Sequence, residues 1–157
     1  MTYTYLPLTQ HQAEEIAYDW TYEDDFAFYD MPNDSDDLAE FLNPDQRTEH
    51  YYAAMDETQL IGFFVFEPEQ NSIELALGMR PDLTGQGNGP AFLKSGLAFA
   101  IQKYQPRYIE LAVATFNERA IRLYAKSGFE PVERFQQETN GGSYKFVKMR
   151  LYTGVMK

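Results

Sequence analysis

The sequence predicts an α/β (α+β) fold: one domain over residues 1–157, with a central mixed, mostly antiparallel twisted sheet of about seven strands and about four helices on its flanks. Three observations predict it. Apolar residues recur at every second position in some stretches and at three- and four-residue steps in others. The two kinds of stretch are interleaved, so strands and helices share one core. After the apolar run Ile73 to Met79 stands Gly85-Gln86-Gly87-Asn88-Gly89-Pro90, which joins that strand-like run to a helix-like one.

In chain order, Thr2 to Leu8 sets Tyr3 and Tyr5 against Thr2 and Thr4 and reads as a first strand. Gln10 to Trp20 carries Ala13, Ile16, Ala17 and Trp20 at helical spacing, with Thr9 as its cap. Tyr22 to Tyr29 suits a short second helix, Met31 to Ser35 a loop, and Asp36 to Leu42 a further helical turn or two stopped near Pro44. Tyr51 to Met55 and Leu60 to Phe66 form a hairpin around Asp56-Glu57-Thr58, and the unbroken Phe63-Phe64-Val65-Phe66 implies burial on both faces. Pro68 to Asn71 turns the chain into a strand from Ile73 to Met79. Pro90 to Tyr104 is a long helix, Tyr108 to Thr115 a strand, and Asn117 to Ser127 a helix capped by Asn117 and closed by Gly128. Phe129 to Phe135 and Tyr144 to Tyr152 are the last strands, around Thr139-Asn140-Gly141-Gly142.

Composition bounds the function. The chain has no cysteine, which excludes a disulfide scaffold and a thiolate nucleophile. Its two histidines, His11 and His50, have no neighbours at metal-ligand spacing, so no metal is expected. A net charge of −11 argues against nucleic acid and anionic membrane partners. No run reaches the ~18 apolar residues of a membrane span, and Met1 to Tyr5 does not begin a signal peptide, so a cytoplasmic protein is the expectation. The charge is uneven: no Lys or Arg precedes Arg47, while twelve Asp and Glu do. This segment is either a solvated face or a negative rim that concentrates a cationic substrate.

The glycine stretch carries the first functional signal. Glycines reach positive φ and let a ligand approach the main chain. Pro90 suits the first turn of a helix. Backbone N–H groups running into a helix N-terminus suit phosphate. The spacing is neither the dinucleotide fingerprint nor a P-loop, and the alternative is a flexible turn between core elements.

A second segment, Asn117-Glu118-Arg119-Ala120-Ile121-Arg122-Leu123-Tyr124-Ala125-Lys126-Ser127-Gly128-Phe129, follows about thirty residues on. Together, the strand Ile73 to Met79, the glycine loop and this segment resemble the Gcn5-related N-acetyltransferase family, and the order of elements matches over nearly the whole chain. The resemblance implies acetyl-CoA as co-substrate. Thr84, Gly85, Gln86, Gly87, Asn88 and Gly89 would hold its pyrophosphate. Leu77, Gly78 and Met79, on a strand splayed at a bulge, would lie along its pantetheine, and the Met79 N–H would face the thioester carbonyl. Thr84 stands where the family usually has Gln or Arg, and Pro90 where a basic residue is common, so binding would lean on main-chain donors, with Arg80, Lys94, Arg119, Arg122 and Lys126 the cations near by.

The same resemblance gives Tyr124 the role of donor to the leaving sulfur; an unperturbed tyrosine, titrating near pH ~10, keeps its proton at neutrality. Asn117 would contact the cofactor or only cap its helix. Glu74 is the candidate base, with Glu110 on the next strand as rival, or water alone. Burial would raise the Glu74 carboxyl to a useful range. The acceptor would be an amine: a small cationic molecule, a lysine or a protein N-terminus, held by carboxylates and by aromatics such as Tyr18, Trp20, Tyr22, Phe26, Phe28 and Tyr29. A homodimer is compatible with this reading. A non-catalytic acyl-CoA-binding or sensor module is the alternative.

Overall fold

A computed structural model describes residues 3–20, 41–45, 49–139 and 142–155. Seven strands form one mixed sheet: β1 (Thr4–Pro7), β2 (Tyr51–Asp56), β3 (Gln59–Pro68), β4 (Ser72–Met79), β5 (Tyr108–Ala114), β6 (Glu130–Thr139) and β7 (Gly142–Tyr152), in the order β1-β2-β3-β4-β5-β7-β6. Three α-helices stand among the described residues: α1 (Gln10–Asp19), α2 (Gly89–Tyr104) and α3 (Glu118–Lys126). β4 and β5 run parallel, since α2 carries the chain back between them, while β1-β2, β2-β3 and β5-β7 are antiparallel. The expected helix over Tyr22 to Tyr29, the loop from Met31 to Ser35 and most of the turn from Asp36 to Leu42 lie outside the described residues; Phe41 and Leu42 are helical. Asn140 and Gly141 of the last turn also lie outside them.

The chain divides into two compact units, the first holding residues 1–65, 77–84 and 139–142, the second 66–76, 85–138 and 143–157. In the first unit the apolar stripe of α1 (Ala13, Ile16, Ala17) is buried with Trp20. The helix starts at a capping box: the Gln12 N–H donates to Thr9 Oγ1 and the Thr9 N–H to Gln12 Oε1. Ala13, Ile16 and Trp20 join Leu8, Phe41, Tyr51, Ala53, Leu60 and Val65 in one cluster, with Phe63 packed against it. Phe63 meets Phe41 edge-on at 5.4 Å and Trp20 at 6.3 Å between ring centroids. Both faces of β3 are covered, as its unbroken apolar run predicts: Phe64 and Phe66 are fully buried and Val65 nearly so.

In the second unit α2 buries Phe92, Leu93, Gly96, Leu97 and Ala100, successive turns of one face. Phe66 stacks at its C-terminal half against Phe99 and Tyr104. Gln105, in the left-handed region at φ 50°, and Pro106 end the helix. Ile109, Leu111 and Val113 of β5 and Val147 and Met149 of β7 are buried, the inward halves of two alternating strands.

Candidate active site

The end of β4 leads into a single 3-10 turn, Pro81–Leu83, and then into the glycine loop. The turn is closed locally. Thr84 donates both its N–H (3.2 Å) and its hydroxyl (2.8 Å) to the Pro81 carbonyl. Arg80 is committed as well: its Nε donates to Asp82 Oδ1 at 2.7 Å and its Nη1 to the Leu60 carbonyl at 3.3 Å. Two of the polar side chains that the sequence sets beside the loop therefore hold the turn itself.

Gly85 and Gly87 adopt φ +71° and +82°, conformations that glycine alone takes without strain. Both are exposed. A Cβ on Gly87 would meet nothing within 4 Å, so the main chain there is uncovered. A Cβ on Gly85 would stand 3.1 Å from Arg119 Nη1, and one on Gly89 would stand 3.4 Å from Leu123 Cδ2. The first two turns of α3 thus lie against the loop, joining the two sequence motifs at atomic range. The loop enters α2 through Asn88, whose side chain makes no capping bond; Pro90 fills the first turn, which holds no acidic residue. By contrast α3 is side-chain capped, with Asn117 Oδ1 accepting from the Ala120 N–H at 3.2 Å. The cap role of Asn117 is thereby observed. A loop of exposed glycines with uncovered main chain, feeding a helix start whose N-cap side chain makes no capping bond, fits a diphosphate.

The register between β3 and β4 corrects one expectation. The Glu69 N–H donates to the Ser72 carbonyl at one end and the Arg80 N–H to the Ile61 carbonyl at the other. Both pairs imply the same offset, so no residue is inserted between them and Gly78 is not a bulge in this ladder. Gly78 instead makes room for Phe63: an added Cβ would stand 2.9 Å from Phe63 Cζ. The splay of the strand lies on its other side. β4 pairs with β5 only from Ser72↔Tyr108 to Glu74↔Glu110, although both strands continue well beyond.

Glu74 therefore sits at the fork where β4 and β5 part. It is exposed, so the burial expected to tune it is not met. By the β3–β4 offset Glu67 lies opposite it on β3; Glu110 flanks it on β5, and Arg150 pairs with Glu110 from β7. The guanidinium of Arg150 is 2.6–2.8 Å from Glu110 Oε2 and donates to the Tyr152 hydroxyl at 3.1 Å. It lies over the Tyr108 ring at 4.5 Å. These partners, Tyr152 first and then Glu110, push its already high pKa higher. Glu110 thus has one oxygen occupied by a cation, and Glu74 forms no ion pair among the described residues.

Tyr124 is half-buried on α3, its ring 5.8 Å from that of Phe129, whose N–H donates to the Tyr124 carbonyl. Leu77 is half-buried and Met79 buried. Of the aromatics expected at an acceptor wall, Trp20 is core and Tyr18 is 57% exposed; Tyr22, Phe26, Phe28 and Tyr29 lie outside the described residues. No group of three metal-binding side chains, and no helix long and apolar enough to cross a membrane, occurs among the described residues. Sequence reasoning missed the Arg150–Glu110 pair and Glu67; their alternation on separate strands was visible, but the register that aligns them was not.

A sequence model of the family described as "Acetyltransferase (GNAT) family" matches residues 12–129. The chain is similar to a mycothiol acetyltransferase of Jonesia denitrificans, 36% identical over 89 residues, which are 54% of this chain and 28% of that protein. It thus spans little more than a quarter of that relative's length. Among solved structures it is similar to a chimera of the spermidine N-acetyltransferase SpeG from Vibrio cholerae and hSSAT, with a TM-score of 0.73 at 22% identity, covering 97% of this chain and 96% of the other. A second similar structure is the Vibrio cholerae spermidine N-acetyltransferase in complex with CoA and spermine, with a TM-score of 0.70 at 19% identity, covering 98% and 96%. At these identities the two structures establish the shared fold.

Proposed function

The chain belongs to the acetyltransferase (GNAT) family, and from that premise we propose that it transfers an acetyl group from acetyl-CoA to a primary amine: a small cationic amine, a lysine side chain or a protein N-terminus. The observation that carries this reading is the meeting of its two halves. The exposed loop Gly85–Gly87 and the start of α3 lie together, with Gly85 beside Arg119, and Tyr124 follows on that same helix.

Acetyl-CoA, when bound, supplies the activated acetyl thioester. Gly85, Gln86, Gly87, Asn88 and Gly89 would hold its diphosphate through main-chain donors; Thr84 closes the turn at the entry to the loop, and Asn117 caps the start of α3. By the family resemblance, Leu77, Gly78 and Met79 would line the pantetheine arm, and the Met79 N–H would polarise the carbonyl. Tyr124 donates its phenol proton to the departing sulfur. Glu74 takes a proton from the acceptor ammonium, directly or through one water. The choice of Glu74 over Glu110 is supported by the Arg150 bonds to Glu110, which occupy that carboxylate.

The row Glu67, Glu74, Glu110 carries three negative charges against the single Arg150, which favours a cationic acceptor at the fork. The net charge of −11 favours a cationic acceptor in the same sense. The spermidine N-acetyltransferases of like fold, one of them solved with spermine, make polyamines the first acceptors to try. An amine panel with acetyl-CoA, followed by release of free thiol, tests the proposal. Turnover of one or more amines is expected. Tight CoA binding with no turnover of any amine would instead identify an acyl-CoA-binding module.

A further inference from the structure

We infer that Arg150 is a positioning residue for the proton transfer: by holding Glu110 it confines the base to Glu74, and its removal opens the task to either carboxylate. The inference deepens the acetyl-transfer reading above and rests on it.

Glu74, Glu110 and Arg150 all belong to the second compact unit. Glu74 and Glu110 are register partners on parallel strands, at the last pair before β4 and β5 part, so they share one face of the sheet. An ammonium entering the gap meets both at the same level, and by residue type either could take its proton. Arg150, the register partner of Glu110 on β7, separates them. Its Nε and Nη2 both bond Glu110 Oε2, at 2.8 and 2.6 Å. The guanidinium is itself fixed. Nη1 donates to the Tyr152 hydroxyl at 3.1 Å, and the Tyr108 ring lies 4.5 Å away. Tyr108 and Tyr152 are partners in the next row of that face, with ring centroids 6.0 Å apart. The pair is also partly shielded, with the Arg150 side chain 28% and that of Glu110 18% exposed, so water screens it less than a surface ion pair.

Glu110 is therefore balanced by a cation, while Glu74 is exposed and forms no ion pair among the described residues. A cationic acceptor is drawn to the carboxylate that lacks a counter-charge. There an ammonium N–H bond breaks, its proton passes to a Glu74 oxygen directly or through one water, and the nitrogen keeps the electron pair with which it attacks the thioester carbon. Glu67 flanks Glu74 from β3, on the side away from the gap between β4 and β5. It stays in place in every variant below, so it cannot account for a difference between them. An Arg150–Glu110 pair that only clamped the sheet would cost stability when broken and leave the dependence on Glu74 as it was.

The test is a double-mutant cycle in kcat/KM, with acetyl-CoA and the best amine of the panel, and with melting temperatures to show that each variant is folded. With Arg150 in place, Glu74→Gln is expected to lower kcat/KM by about 100-fold or more. In an Arg150→Gln background the same change should cost about tenfold or less, because the released Glu110 accepts the proton. Adding Glu110→Gln to that double variant should bring back the full loss, and Arg150→Lys, which keeps a cation beside Glu110, should restore the full dependence on Glu74. Arg150→Met keeps an apolar stem against the Tyr108 ring and gives the same comparison should Arg150→Gln fail to fold. An equal loss from Glu74→Gln with and without the guanidinium would overturn the inference. If the unaltered protein turns over no amine, the acetyl-transfer reading falls and this inference with it. If it turns over amines and Glu74→Gln alone costs nothing, the reading stands and the inference falls.

Discussion

Gly78 and Phe63 share a space that admits only one side chain: a Cβ on Gly78 would overlap the Phe63 ring edge and stand 2.9 Å from its Cζ. Phe63 also packs against Phe41 at 5.4 Å and Trp20 at 6.3 Å, contacts that a shift of the ring would disturb. Gly78→Ala is expected to destabilise the protein by about 1–3 kcal/mol through overpacking. Urea denaturation checks this. Pairing it with Phe63→Leu should recover part of the loss, and strict additivity of the two changes would refute the steric account.

Tyr124→Phe removes only the phenol hydroxyl and keeps the ring against Phe129. We expect kcat for thiol release to fall by about 100-fold or more, with coenzyme A affinity and melting temperature nearly unchanged. A variant with full turnover would take Tyr124 out of the chemistry.

Glu74→Gln and Glu110→Gln separate base from scaffold. The first should lower kcat/KM by about 100-fold or more and leave stability alone, because Glu74 is exposed. The second should lower stability by about 1 kcal/mol, since it strips Arg150 of the carboxylate it grips at 2.6 Å, and should leave the pH profile of kcat/KM in place. The reverse pattern would reassign the base to Glu110, and two active variants would leave water as the proton acceptor.

The Tyr3 phenol is held above 10.0, first by burial and then by the negative charge of Asp56. Below that pH the phenol is neutral in both folded and unfolded chains. As pH rises past 10.0 the unfolded chain releases its proton first, so stability is lost as pH climbs toward the folded value. Melting temperatures of wild type and Tyr3→Phe should diverge above about pH 10, the variant falling less. Parallel curves would show that Tyr3 takes no part in alkaline unfolding.

Much of the protein was legible residue by residue. Ala13, Ile16, Ala17 and Trp20 announce α1, and Thr9 its start; Asn117 and Gly128 bracket α3; the unbroken Phe63–Phe66 run marks a strand covered on both faces. These signals act over one to four residues, where backbone geometry and capping chemistry decide the outcome. The two motifs of the candidate site were legible for the same reason, since each is a local arrangement of glycines or of one helix face.

What lay beyond the sequence was the meeting of parts far apart in it. Nothing in the sequence told that Arg119 would reach Gly85, that Glu67, Glu74, Glu110 and Arg150 would fall in one row, or that Gly78 would yield its space to Phe63 rather than form a bulge. Those juxtapositions depend on strand register, and register is fixed only when whole faces are buried and turns close at definite lengths. Local chemistry therefore wrote the elements and the family signature. Packing decided which carboxylate is left uncommitted and which cation stands over the loop.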